Sequence, residues 1–120
     1  MITVAGVVRL GTRASRLARF QTDLVRQTLA ELHPSIEFQT IVISTEGDRD
    51  MLTPLPEIGG KGVFTQELEA ALREGVIDLA VHSLKDVPVE PSPGLTLAAI
   101  GIREDPRDVL ISARGWTIET

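Results

Sequence analysis

Residues 77–88 read IDLAVHSLKDVP, an apolar run that turns abruptly polar. Ile77, Leu79, Ala80 and Val81 make a short, nearly all-apolar segment, as in a strand covered on both faces. His82, Ser83, Lys85 and Asp86 follow it directly. On the N-terminal side, Phe64, Leu68, Ala71 and Leu72 recur at helical spacing, and Gly75 sits where a glycine just past a helix belongs. On the C-terminal side, Pro88, Pro91 and Pro93 predict an extended connection over 87–94. A buried strand is expected over 95–100, and another begins at 109–112. The period of the pattern thus switches between helix and strand around one buried run.

The same alternation holds toward the N-terminus. A short strand is predicted over 7–10, cut off by Gly11. A helix over 15–32 follows, with Leu17, Phe20, Leu24, Val25, Leu29 and Leu32 as one apolar stripe. Thr12 and Ser15 are both candidate caps, and His33-Pro34 ends the helix. Residues 36–43 alternate and are rich in β-branched side chains, which predicts a second strand. Residues 44–62 break the pattern with Gly47, Pro54, Pro56, Gly59, Gly60 and Gly62. A stretch of that length without regular structure is usually either functional or mobile, and it is read as a candidate lid. Strands alternating with helices predict an α/β domain with a mainly parallel central sheet.

The composition bounds the chemistry. The chain has 120 residues, 42% of them hydrophobic and 24% charged, which is globular rather than disordered. Aromatic residues make up only 3%, so the core falls to Leu, Ile, Val and Ala. A net charge of −5 argues against nucleic acid as the partner. No apolar run approaches the ~20 residues of a membrane span, and the first ten residues lack a secretory pattern. A soluble, cytoplasmic chain is expected. There is no cysteine, hence no disulfide, no thiolate nucleophile and no thiolate metal site; no metal is expected. The charge is uneven: Arg9, Arg13, Arg16 and Arg19 precede the first acidic residue, either as a solvated helix face or as a local anion site.

Ligands of open α/β sheets bind outside the carboxyl ends of the strands. Two segments leave predicted strand ends with polar groups. Residues 11–15, GTRAS, offer free backbone N–H groups, two hydroxyls and Arg13 at a helix N-terminus, a combination suited to a carboxylate or phosphate. In the second, Lys85 and Asp86 emerge together from a buried strand and need partners. They either satisfy each other or face a cleft as donor and acceptor. His82 beside them reads as a hydrogen-bonded structural residue. Gly59-Gly60-Lys61-Gly62 departs from a P-loop, because glycine follows the lysine; it reads as a hinge that places Lys61 on an anionic ligand.

The runs LGTRAS at 10–15, GGKGVF at 59–64, VHSLKDVP at 81–88 and REDPRD at 103–108 stand in the order and spacing of one family. The chain resembles the N-terminal portion of porphobilinogen deaminase, also called hydroxymethylbilane synthase. The resemblance implies an enzyme that condenses four porphobilinogen molecules head to tail, losing ammonia each time, on a covalently attached dipyrromethane cofactor. It implies Asp86 as the catalytic carboxylate that meets pyrrole N–H groups and developing positive charge. It implies that Lys85, Arg13 and Ser15, with Asp86, bind the cofactor, and that Lys61 and Ser83 serve the substrate and the lid. The implied fold is like the type II periplasmic binding proteins, incomplete here. Residues 1–102 would form most of domain 1 without its return strand, and 103–120 the hinge and the start of domain 2.

The resemblance also has a gap. The cysteine that anchors dipyrromethane in the family has no counterpart in this sequence. The chain alone is therefore expected to be inactive, as a fragment of the enzyme. A standalone anion-binding module, or one half of a split enzyme completed in trans, are the alternatives. The complete family enzyme is expected to be a monomer with porphobilinogen as its small-molecule partner, whereas this chain is expected to self-associate through an open sheet edge.

Overall fold

The computed structural model describes residues 6–45, 48, 64–90, 92–107, 109 and 111–115. Three strands, β1 (Val7–Thr12), β2 (Glu37–Val42) and β3 (Leu79–Ala80), form a parallel sheet in the order β2-β1-β3. Helix α1 (Arg16–Leu32) connects β1 to β2, and α2 (Gln66–Arg73) precedes β3. The α/β reading with a parallel sheet holds.

Strand β1 runs through Gly11 instead of ending there. A side chain at that position would collide with Ile77 and reach within 3.0 Å of Leu68 Cδ2. The missing Cβ is what lets the α2–β3 unit close onto the central strand. Leu68, Ala71 and Ile77 form the core there, with Ile41, Ile43, Leu72 and Ala80 packed around it. Gly75 has φ +74°, the left-handed conformation that ends α2 as expected.

Strand β3 is shorter than expected, pairing only Leu10 with Leu79 and Gly11 with Ala80, and both its residues are half-buried. Its place is secured by an ion pair rather than by a long ladder. The Arg9 backbone N–H donates to Asp78 Oδ2 at 2.8 Å, and its Nε and Nη2 donate to the same carboxylate at 3.1 and 3.0 Å. In return the Asp78 N–H donates to the Arg9 carbonyl at 2.9 Å.

Helix α1 begins at Ser15, whose side chain accepts from the Ala18 N–H at 3.2 Å, the capping role considered for that serine. Its apolar stripe does not pack as a stripe. Leu17, Phe20, Leu24, Val25 and Leu32 are exposed, and the fully buried residue of the helix is Thr22. The Thr22 hydroxyl donates to the Ala18 carbonyl at 2.8 Å, so its burial leaves no polar atom unsatisfied.

No strand forms over 95–100, where Leu97 and Ile100 are exposed, nor at the described residues of 109–112. Among the described residues no neighbouring strand lies beside either run to complete a ladder, so apolar composition alone leaves them irregular. No helix among the described residues is long and apolar enough to cross a membrane.

Candidate functional site

Because the sheet is parallel, the segments leaving β1, β2 and β3 emerge at one edge. There the segments after β1 and β3, with Phe64, enclose a pocket of about 230 Å³ lined by Arg13, Ser15, Val81, His82, Ser83, Lys85 and Asp86. Five of the residues singled out in the sequence thus share one cavity. Lys61 and the Gly-Gly-Lys-Gly run lie outside the described residues. Of the predicted lid, 44–62, the structure describes Ser44, Thr45 and Asp48.

Arg13 is the hub. Its Nε and Nη2 donate to the two oxygens of Asp48 at 3.1 and 2.5 Å, and its Nη1 donates to Asp86 Oδ2 at 3.3 Å. The Phe64 ring covers one face of the guanidinium, with its centroid 4.2 Å from Cζ. The Arg13, Asp48 and Asp86 side chains keep only 16%, 14% and 17% of their exposure, so these are sheltered charges. Asp86 therefore pairs with Arg13, not with its neighbour Lys85, which is exposed. The sequence left open whether Lys85 and Asp86 satisfy each other; among the described residues they do not.

Asp86 is delivered by a 3-10 turn, Leu84–Asp86, closed by the Asp86 N–H donating to the Ser83 carbonyl at 3.0 Å. The Ser83 hydroxyl donates to Gln21 Oε1 at 2.7 Å, which ties that turn to α1. His82 lines the pocket, and its buried Nδ1 has no hydrogen-bond partner among the described residues. The hydrogen-bonded structural role expected of this histidine is not seen at Nδ1. Burial, first, and the charge of Arg13 hold its pKa below the ordinary imidazole value, while Asp86 and Glu69 pull the other way.

Asp48 carries no signal in the sequence, since it stands in a pattern-free, glycine- and proline-rich stretch. Thr45, fully buried, holds it: the Thr45 hydroxyl donates to Asp48 Oδ2 at 2.7 Å and accepts from the Asp48 N–H at 3.2 Å. Among the described residues no group of three or more His, Asp or Glu is arranged to hold a metal.

An α/β sheet whose strand ends gather an arginine, a lysine, two hydroxyls and two carboxylates offers groups of the kind that can bind small polar ligands carrying both anionic and donor groups. The comparisons narrow that class. The family model described as porphobilinogen deaminase, dipyromethane cofactor binding domain, matches residues 8–120. The porphobilinogen deaminase of Syntrophotalea carbinolica is 50% identical over 111 residues, covering 92% of this chain and 35% of the relative. That of Moorella thermoacetica is 47% identical over 113 residues, covering 94% and 36%. That of Shouchella clausii is 53% identical over 110 residues, covering 92% and 35%. The chain belongs to the porphobilinogen deaminase family. It spans about a third of the length of the curated relatives it matches.

Proposed function

We propose that this chain supplies the Asp86 side of the active-site cleft of a hydroxymethylbilane synthase, a transferase of tetrapyrrole (heme) biosynthesis. The complete enzyme would condense four porphobilinogen molecules head to tail with loss of ammonia. The observation that carries this reading is the single pocket in which Arg13, Ser15, Ser83, Lys85 and Asp86 meet.

The chemistry of that pocket supports the roles. Each pyrrole of the substrate brings an acetate and a propionate, and the Arg13 and Lys85 cations with the Ser15 and Ser83 hydroxyls are donors of the right kind. Asp86 accepts from pyrrole N–H groups. A sheltered carboxylate also stabilises the positive charge that develops on the substrate as ammonia departs. Lys61, from the predicted lid, would add a further cation over the ligand. The same donors fit the carboxylates of a dipyrromethane, whose role when bound is to prime chain growth. Thioether attachment does not fit, because the chain has no cysteine. We place the fold with the type II periplasmic binding proteins and the protein in the cytoplasm; the parallel sheet supports the first. The absence of an anchoring cysteine favours a part of the enzyme, or one half of a split enzyme, over an active unit.

The test is to incubate the purified chain with porphobilinogen and follow both product and the aldehyde-reagent colour of protein-bound pyrroles. Neither is expected. Turnover, or a stable covalent adduct, contradicts the reading of the chain as incomplete. Joined to the remaining segments of one of the relatives, the chain is expected to turn over porphobilinogen. A folded chimera without activity contradicts the enzyme assignment.

A further inference from the structure

We propose that Asp48, seated on the buried hydroxyl of Thr45, is a positioning residue that aims Arg13 into the pocket and keeps it from closing onto Asp86. The proposal rests on the reading above that Arg13 receives a ligand carboxylate. Asp48 is not among the residues that line the pocket, whereas Arg13 and Asp86 are. It lies behind the arginine and acts through it.

The geometry gives each side of the guanidinium one task. The edge formed by Nε and Nη2 is taken by Asp48 through two hydrogen bonds, at 3.1 and 2.5 Å. One face is covered by Phe64. Nη1 remains on the pocket side, where it meets Asp86 at 3.3 Å, longer than the ~2.7–2.9 Å of a strong charge-assisted bond. A planar fork held along one edge and one face keeps little freedom of rotation. Thr45 is 0% exposed and bonds Asp48 both ways, so the holder is itself held. Arg13 is thus anchored by a carboxylate outside the cavity and only lightly engaged by the one inside it. A ligand carboxylate can take the Nη1 side by displacing a weak contact, which leaves Asp86 open to the ligand's N–H groups.

Two effects of removing the Asp48 charge oppose each other. By Coulomb's law alone, an arginine relieved of a neighbouring carboxylate attracts an anion more strongly. By the positioning account, a released Arg13 swings onto the carboxylate of Asp86 and pairs with it through two N–H groups. The pocket then loses its cation and its acceptor together. The outcomes differ in sign, which makes the proposal decidable.

The experiment compares the 120-residue chain with Asp48→Asn, Thr45→Val and Arg13→Ala variants by calorimetric titration with porphobilinogen. Thermal unfolding establishes that each is folded. Alongside, the 15N spectrum of the arginine side chains follows the Arg13 Nε–H, identified by its loss in Arg13→Ala. Asp48→Asn is expected to weaken binding about 10-fold, as loss of a supporting outer partner does elsewhere, and Thr45→Val to weaken it in the same direction. The Arg13 Nε–H is expected at a distinct, slowly exchanging position that Asp48→Asn moves to that of the solvated arginines. Equal or tighter binding by Asp48→Asn overturns the proposal. If the unaltered chain binds no porphobilinogen, the carboxylate reading of the pocket fails. The Nε–H signal then decides the positioning claim: unchanged in Asp48→Asn it refutes it, shifted it sustains it.

Discussion

At the scale of single residues, the pocket gathers charged side chains around Arg13. His82 lines that cavity with its pKa pushed below the usual 6.5, chiefly by burial. A histidine held neutral in the fold contributes stability that is fully present above pH 6.5. It is lost as pH falls below that value, where the unfolded chain takes up the proton first. The unfolding midpoint is therefore expected to drop between pH 7 and moderately acidic pH, and His82→Gln to flatten that drop; an equally steep drop in the variant contradicts it. Asp78 acts in a different window. Its side-chain bonds to Arg9, above all, hold its carboxyl below the ordinary 3.8, so its contribution disappears only in stronger acid. Asp86 is predicted to matter for rate. In a chimera completed with a relative's remaining segments, Asp86→Ala is expected to lower kcat at least ~100-fold, the scale for removing one preorganised electrostatic group. Near-normal kcat would remove the role assigned to that carboxylate. Arg13, Ser15, Ser83, Lys85 and Asp86 were legible from sequence because each sits just past an apolar run or at a helix start. Asp48 was not: its function comes from meeting an arginine 35 residues away, and nothing local announces that.

At the scale of elements, periodicity located α1, α2, β1 and β2 to within a few residues, because each carries its own hydrophobic repeat. It did not reach what those elements bury. Along the apolar stripe of α1, Leu17 and Phe20 are 55% and 60% exposed. Periodicity reports that a face is apolar and does not say which neighbour covers it. The reading of 95–100 as a strand failed for a related reason, since a strand exists only where a partner completes its ladder. Gly11 was taken as a terminator when it is a close-approach site in the middle of β1. Its space is occupied by Ile77 and Leu68, so Gly11→Ala is expected to destabilise the fold by about 1–3 kcal/mol through overpacking. Denaturant unfolding measures this directly, and an unchanged midpoint would show that the α2–β3 unit yields freely. The Arg9–Asp78 clasp, 69 residues apart in sequence, likewise had no local signal beyond one polar residue in an apolar run.

At the scale of the whole molecule, apolar surface is left uncovered along α1 and over the last described segment, where Ile102 and Ile111 are 101% and 91% exposed. Among the described residues the sheet has three strands, with β2 and the two-residue β3 at its edges. Open edges and apolar patches pair with other chains. Sedimentation is therefore expected to show association that grows with concentration, and a monomer at high concentration contradicts that expectation. Whether the pocket is where ligand binds is decided by mapping porphobilinogen onto the chain through backbone 1H–15N shifts. Saturable perturbations are expected, confined to the strand-end segments around Arg13 to Ala18 and Val81 to Val87, with β2 and the C-terminal turns of α1 unaffected. Perturbations centred elsewhere, or none at saturating ligand, would contradict binding there.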